Sequence, residues 1–146
     1  MNSIKESRIY LLLFSIRPTV QREAIMDYLL KNRCHPTVDD IYMELRKTIP
    51  TLSRMTIYNS LDFFIRQGAV QSFQVSNESV RYDIETDAHA HFVCKTCGLI
   101  HNIESHNSSL FAFPKKTKFA ISSVDVLYIG VCQSCLLKSQ FTSYFH

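Results

Sequence analysis

Two Cys-x-x-Cys pairs are the feature that most constrains how this chain can fold. The pairs are Cys94/Cys97 and Cys132/Cys135, and 34 residues separate them. In such a turn both sulfurs can converge on one ion, so two turns supply the four thiolates of a tetrahedral zinc site. Because the spacing exceeds that of a compact zinc ribbon, we expect the turns to come from opposite ends of a small sheet. Redox dithiols are the alternative, but two pairs favour a closed structural zinc site.

Cysteine usage and apolar content are typical of a cytoplasmic globular protein. In a reducing compartment five cysteines are more often metal ligands than disulfides, and we interpret the fifth, Cys34, as a buried or half-buried thiol. A chain of 146 residues that is 46% hydrophobic can form one ordinary domain or two small ones. No apolar run reaches the roughly 18–20 residues needed to span a bilayer. Residues 9–14 are interpreted as a helix face and not as a signal peptide.

Up to about residue 68 the apolar residues recur with helical spacing. One helix is predicted with Pro18 in its first turn, a second with Thr37 as its cap, and a third with Ser53 as its cap. Gly68 then provides a C-terminal stop. The period changes to two in residues 70–75 and 80–84, around a polar link, which predicts a hairpin. Helices followed by a hairpin in this order predict a winged helix-turn-helix over residues 1–84.

The polar face of the third helix carries side chains that suit DNA recognition. Arginine can contact phosphate or guanine, asparagine can pair with adenine, and tyrosine can contact a thymine methyl or a phosphate. The candidates are Arg54, Met55, Tyr58 and Asn59, with Arg17 and Arg22 in the basic segment that precedes them. The alternative is an ordinary amphipathic helix and a solvated basic face, since a net charge of +3 is compatible with nucleic acid without establishing it.

After a predicted hinge at residues 85–88, the second half, residues 89–146, is mostly strand-like. Strands are predicted at residues 91–94, 99–103, 119–124 and 126–131, and a short helix is predicted between residues 104 and 113, before Pro114. Both cysteine pairs follow or adjoin predicted strands.

His89 and His91 form a second candidate metal site. At this spacing both side chains can point to one side of an extended segment, and they cannot join a zinc ion that already has four sulfur ligands. Asp83 closes the hairpin of the first half, so a metal held by all three would connect the two halves and act as a switch. Nitrogen and carboxylate ligands suit Fe(II), Mn(II) or zinc. The alternative is a pair of histidines that bind no metal.

These motifs together resemble the ferric uptake regulator (Fur) superfamily of metal-dependent repressors, from about Ile16 to Leu136. The matching pieces are R-P-T-V-Q-R (17–22), C-H-P-T-V-D-D-I-Y (34–42), S-R-M-T-I-Y-N-S-L (53–61), R-Y-D-I (81–84), H-A-H-F-V-C-K-T-C-G (89–98) and Y-I-G-V-C-Q-S-C (128–135).

The resemblance implies an α+β protein with an N-terminal winged helix and a C-terminal α/β dimerisation domain. It implies a homodimer that binds an inverted-repeat operator in double-stranded DNA when metal is loaded, and a structural Zn(Cys)4 site. It also implies a regulatory site for Fe(II) or Mn(II), with zinc as a further option. The regulatory ligands carried over from the family are His35, Asp83, His89, His91 and Asn102.

Two departures from the family pattern matter. Asn102 stands where the family usually has an acid, so we expect lower metal affinity or shifted selectivity, and His101 beside it should face the other side of its strand. Ala88 and Ala90 replace the ligands of the family's additional site, which we expect to be absent. The pattern is most similar to the peroxide-sensing branch (PerR), in which oxidation of a ligand histidine, here His35 or His89, releases DNA. The alternative is an iron, manganese or zinc uptake repressor.

Two other function classes remain open on the residues alone. Asp83, His89 and His91 could form the catalytic site of a zinc enzyme, but the sequence offers no obvious general base or nucleophile and we expect none. The chain could also be a zinc-stapled winged-helix adaptor whose histidines bind nothing. We expect no membrane partner, and no small-molecule substrate beyond metal ions and peroxide.

Overall fold

The computed structural model describes residues 5–75, 77, 79–104 and 108–143. It divides into two compact units, Met1–Thr86 and Asp87–His146. The boundary between them falls within the segment predicted as a hinge. Within the described ranges, no helix has the length and apolar character that crossing a bilayer requires.

The described residues of the first unit form four helices and a hairpin. The helices are α1 (Glu6–Leu13), α2 (Val20–Lys31), α3 (Val38–Leu45) and α4 (Arg54–Arg66). The cap of α3 is Thr37, whose side chain accepts from the Asp40 backbone while the Asp40 side chain accepts from the Thr37 backbone. Ser53 caps α4 in the predicted way. The cap of α2 is Thr19, so Pro18 precedes the helix and does not lie in its first turn.

The core of this unit is the apolar face shared by the helices. Ile25, Ile41, Ile57, Leu61 and Phe64 are all fully buried, and each such side chain contributes roughly 1.5–3 kcal/mol through its removal from water. This packing fixes α4 against α3 and leaves the opposite face of α4 exposed.

The hairpin that follows α4 is the predicted wing. Strands β1 (Gln71–Gln74) and β2 (Val80–Asp83) pair antiparallel, with Gln71 opposite Asp83. Residues 76 and 78 of the predicted link lie outside the described residues. The wing ends at Asp83, one of the predicted metal ligands.

The described residues of the second unit form a three-stranded sheet, a 3₁₀ turn and one α-helix. Strands β3 (Ala90–Cys94), β4 (Ile100–Ile103) and β5 (Leu127–Gly130) form a sheet of order β4-β3-β5, and helix α5 spans Gln133–Ser143. Strand β3 is antiparallel to β4 and parallel to β5. The predicted α+β class, with its winged helix first, is therefore confirmed.

The parallel pairing corrects the expected origin of the two cysteine turns. Cys94 lies opposite Gly130 in the register of β3 with β5. Because parallel strands have their carboxyl ends at the same edge of a sheet, both turns leave from the same end of the sheet and not from opposite ends.

Two further predictions for this unit were wrong or incomplete. Residues 119–124, all of them described, form irregular chain instead of a strand, and Phe119 is exposed. Between residues 104 and 113 the structure has a 3₁₀ turn at Ser108–Phe111, while residues 105–107 lie outside the described residues.

Candidate metal centres and DNA-reading surface

The four paired cysteines form one cluster at the end of the sheet. Their sulfur atoms all lie within 4.8 Å of one another, and the Cys97 and Cys132 sulfurs are 3.8 Å apart. A tetrahedral zinc site with Zn–S bonds of about 2.3 Å requires sulfur–sulfur distances of about 3.8 Å. The cluster therefore fits one zinc ion with all four positions taken by protein.

Backbone geometry explains how the first cysteine pair is shaped. The Gly98 N–H donates to the Cys94 carbonyl at 2.8 Å, which closes the turn. Gly98 has a φ of +75°, in the left-handed region that only glycine adopts without strain. The turn holds the Cys97 side chain on the same side of the sheet end as Cys94.

The electrostatics of the cluster favour a thiolate at Cys94. Backbone N–H groups, first that of Cys132 and then that of Cys97, lower the pKa of Cys94 to about 6. The Cys132 N–H donates to the Cys94 sulfur at 3.3 Å. In contrast, hydrogen bonding with the Cys132 sulfur raises the pKa of Cys135 to about 12. Cys94 is thus a thiolate at neutral pH and can bind a metal directly, whereas Cys135 must lose a proton when it binds one.

His35 and Asp83 form a buried pair of candidate ligands within the first unit. The His35 Nε2 atom lies 3.3 Å from the Asp83 Oδ2 atom, and the Glu85 N–H donates to Asp83 Oδ1 at 2.9 Å. His35 also packs edge-on against Phe73, with ring centroids 5.5 Å apart. One carboxylate oxygen is oriented by the backbone and the other faces the imidazole, an arrangement common among metal-ligating groups.

The backbone at His35 is unusual and is held by strand β2. Its φ is +56°, a conformation uncommon for residues other than glycine. An Nη1–H of Arg81 donates to the His35 carbonyl at 3.3 Å, and the Tyr82 N–H donates to the Pro36 carbonyl at 3.0 Å. Consecutive residues of β2 therefore fix the segment that carries His35.

His89 and His91 form a second convergent pair, within the second unit. Their Nε2 atoms are 3.0 Å apart, which matches two ligands at right angles on a metal with bonds of about 2.1 Å. The His89 Nδ1 atom lies 2.6 Å from the Asp87 carbonyl oxygen. Since a carbonyl only accepts, Nδ1 carries the proton, and Nε2, which faces His91, is the atom with which the ring would bind a metal.

Strand register assigns the faces of Asn102 and His101. Asn102 lies directly opposite His91 in the β3–β4 pair, whereas His101 lies opposite Phe92. Residues directly opposite each other point to the same face of a sheet. Asn102 therefore shares the face of His91, and His101 is on the other face, as the sequence predicted.

Three of the predicted DNA contacts line one surface hollow of about 510 Å³. Arg17, Arg22 and Asn59 border it together with Thr19 and Thr56. The Arg22 guanidinium packs over the Phe63 ring, 4.5 Å from its centroid, and donates to the Arg17 carbonyl at 3.0 Å. The hollow thus combines two cations with the polar face of α4.

The other predicted contacts lie elsewhere on the exposed face of α4. Met55 and Tyr58 are 66% and 50% exposed, so both are accessible to a partner. The Arg54 guanidinium is held by Asp39 and Tyr42 of α3. The sequence did not single out Asp39 and Tyr42 as residues that contact Arg54, because these contacts depend on how α3 packs against α4.

The prediction for Cys34 was wrong. This thiol was expected to be buried or half-buried, and it is exposed.

Comparison with known proteins identifies relatives that match most of the chain. The profile of the Ferric uptake regulator family matches residues 14–128. The Peroxide operon regulator of Bacillus subtilis is 35% identical over 141 residues, covering 94% of this chain and 96% of that protein. The Peroxide-responsive repressor PerR of Staphylococcus epidermidis is 34% identical over 138 residues, covering 92% of this chain and 91% of the relative.

Solved structures share the fold. The ferric uptake regulator Fur of Helicobacter pylori superposes with a TM-score of 0.66 at 20% identity, covering 93% of this chain and 97% of that one. The peroxide stress regulator of Campylobacter jejuni has a TM-score of 0.61 at 26% identity, covering 92% of this chain and all, 100%, of the other.

Proposed function

Because the chain belongs to the ferric uptake regulator family, we propose that it is a metal-dependent, peroxide-responsive transcriptional repressor. The observation that carries this proposal is the likeness to the Bacillus subtilis Peroxide operon regulator across 94% of the chain. The convergent ligand pairs and the winged helix supply the parts such a repressor needs. It would act in the cytoplasm as a homodimer on an inverted-repeat operator.

We assign structural zinc to Cys94, Cys97, Cys132 and Cys135. Their sulfur spacing supports this assignment, and four thiolates leave no position for a substrate or water. The zinc would hold the carboxyl end of the sheet to the start of α5, where Cys135 lies in the first turn. Its contribution is to folding and not to chemistry.

The regulatory metal would be held by His35, Asp83, His89, His91 and Asn102. The support is that each unit presents two convergent donors, one of which is oriented by a backbone hydrogen bond, Asp83 in the first unit and His89 in the second. A ligand set of three imidazoles, a carboxylate and an amide suits Fe(II) or Mn(II), with zinc as a further option. Because the donors belong to two units, metal binding would couple the conformation of the ligand loops to the DNA-binding unit.

Bound Fe(II) would supply the electrons that reduce peroxide, whereas Mn(II) would hold the same ligands without that chemistry. The residues exposed to the resulting oxidation would be His35 and His89. The hydrogen bond between His89 Nδ1 and the Asp87 carbonyl leaves Nε2 as the metal-binding atom of that ring. Arg81 of strand β2 holds the backbone carbonyl of His35. Conversion of either ring to a poorer ligand would weaken metal binding and release the operator.

Peptide mass spectrometry tests the proposal directly. The full chain would be loaded with Fe(II) without oxygen, exposed to dilute peroxide, and compared with Mn(II)-loaded protein. We expect a one-oxygen gain on His35 or His89 with iron alone. His101 provides an internal control, because it lies on the face of β4 opposite to Asn102. Unmodified histidines despite full iron occupancy would instead indicate a metal-uptake repressor.

A further inference from the structure

The guanidinium of Arg54, at the start of the predicted recognition helix, is held on two sides. Its Nε–H donates to Asp39 Oδ1 at 2.6 Å. Its central carbon lies over the Tyr42 ring, 4.0 Å from the centroid. A long, flexible side chain that is 51% exposed is thereby confined to one orientation.

The two holding residues belong to a rigid neighbour of the recognition helix. Asp39 and Tyr42 lie three positions apart on α3, so they share one face of that helix. Arg54 is the first residue of α4. Buried Ile41 and Ile57 lie in the core on which α3 and α4 pack, so the position of Asp39 relative to Arg54 is set by the core and not by surface flexibility.

The contacts leave one part of the guanidinium for a partner. The hydrogen bond to Asp39 uses Nε, and the stacking on Tyr42 uses the planar face. The edge formed by Nη1 and Nη2 is the part that can donate two parallel hydrogen bonds. In the major groove, guanine offers the matching pair of acceptors, O6 and N7.

The charge of Asp39 favours a base over a phosphate at this position. The carboxylate is 70% exposed and lies beside the guanidinium, so a phosphate that approached Arg54 would also approach a negative charge. A guanine edge carries no net charge and avoids this repulsion. Asp39 thus lowers the affinity of Arg54 for a phosphate relative to its affinity for a base edge.

We propose that Asp39 and Tyr42 orient Arg54 to read a guanine in each half-site of the operator. Asp39 is then a specificity-determining residue although it does not itself bind the base. This inference rests on the proposed DNA-binding function.

Selection from a randomised duplex pool tests both the proposed DNA-binding function and the role of Asp39 and Arg54 within it. The Mn(II)-loaded full chain and its variants would be used to enrich binding sequences at fixed ionic strength. The variants are Arg54→Lys and Asp39→Asn. Arg54→Lys keeps the charge but loses the planar group that donates two parallel hydrogen bonds. Glu44→Gln is the matched control, because it lies on the same helix and makes the same change of charge, but its partner is Lys47 at 2.6 Å.

The expected result is a guanine at one symmetric position in the wild-type selection. Arg54→Lys should lower the preference for that guanine about tenfold or more, within the range of one bidentate base contact. Asp39→Asn should lower it about threefold, as befits an exposed ion pair, while binding to a duplex of unrelated sequence stays equal or tightens. Glu44→Gln should retain the wild-type preference.

Other outcomes separate the two proposals. The wild-type chain could enrich the guanine while Asp39→Asn keeps the same preference for it as Glu44→Gln. That result would overturn the role of Asp39 but not the guanine contact of Arg54. If Arg54→Lys weakens binding to all sequences equally, Arg54 contacts phosphate and the proposed guanine contact is overturned. No enrichment by the wild-type chain at any metal loading would overturn the proposed repressor function, and this inference with it.

Discussion

At the scale of single residues, Asn102 is the ligand candidate that departs from the family pattern. The proposed regulatory set contains three neutral imidazoles, one carboxylate and one amide, so a divalent ion there keeps a net charge of about +1. Register places Asn102 opposite His91, on the same face of the sheet. The amide oxygen can therefore take the family acid's place in space but not its charge.

Replacing Asn102 with Asp should strengthen metal binding. The added charge would neutralise the site, and ligand charge is a main determinant of affinity for hard divalent ions. We expect the Mn(II) affinity of Asn102→Asp to rise about tenfold, measured by titration with electron paramagnetic resonance of free Mn(II). His101→Asp adds the same charge on the opposite face and should change affinity little. Equal effects of the two substitutions would argue against Asn102 as a ligand.

The cysteine cluster allows a pH prediction. The pKa of Cys94 is lowered to about 6 by donated N–H groups, so its thiolate persists above that pH and is lost as pH falls through it. Below about pH 6, zinc must therefore displace a proton from Cys94 as well as from Cys135, so zinc should be lost more readily as the pH falls through that value. Because the pKa of Cys135 is raised to about 12, zinc uptake at neutral pH should also release at least one proton.

Zinc content after dialysis at a series of pH values, measured by mass spectrometry of the metal, checks this prediction. Cys34→Ser should behave like the wild type, because Cys34 is exposed and is not a member of the four-cysteine cluster. Cys97→Ser should lose zinc even at neutral pH. No increase in the steepness of zinc loss as the pH falls through about 6 would contradict a Cys94 pKa of that value.

Not every site residue could be found from the sequence. The cysteine pairs and the His89/His91 pair follow from short spacings, since residues close in the chain converge through local geometry. His35 carries no such signal, because its partner Asp83 is 48 positions away and packing brings the two to 3.3 Å. Only the family resemblance pointed to it.

At the scale of elements, strand β2 is both part of the wing and the support of His35, a proposed metal ligand. Arg81 holds the carbonyl of His35, and Asp83 faces the ring of the same residue. His35 leads through Pro36 into the capping box of α3. A change in the position of His35 would therefore be transmitted both to the wing and to the helix that packs against α4.

Arg81→Lys should weaken regulatory metal binding without removing zinc. Lysine keeps the charge but ends one atom shorter and lacks the branched donor, so the His35 carbonyl loses its hydrogen bond. A bond of this kind is worth about 1 kcal/mol, which corresponds to about a fivefold weaker Mn(II) affinity. Arg66→Lys, at the exposed end of α4, is the control. Unchanged Mn(II) affinity in Arg81→Lys would show that β2 does not position His35.

Helices were more predictable than strands for a physical reason. Caps at Thr37 and Ser53 are local signals, and the structure uses both. A strand requires a partner, which alternation alone does not supply. Residues 119–124 alternate, yet β3 pairs with β4 and β5 instead. Helix α5 was not predicted because its apolar residues, such as Leu136 and Leu137, are exposed and give no continuous stripe.

At the scale of the whole molecule, the proposed function requires that metal and DNA affect each other's binding. The proposed ligands of the regulatory site belong to both units, whereas the predicted DNA contacts lie in the first unit alone. If occupancy changes the DNA affinity, thermodynamic linkage requires that DNA change the metal affinity by the same factor. Typical couplings between distinct sites are about 5- to 150-fold.

We therefore expect the duplex enriched in the pool selection to raise the Mn(II) affinity of the full chain. The factor should equal the ratio of DNA affinities measured with and without Mn(II) at the same ionic strength, because phosphate contacts alone make binding salt-dependent. A duplex of shuffled sequence controls for non-specific binding, and His89→Ala, which removes one half of the convergent pair, should reduce both factors together. His101→Ala should leave them unchanged. An operator affinity that does not depend on Mn(II) would leave a zinc-stabilised winged helix without a regulatory switch, since there would be no coupling for the histidines to transmit.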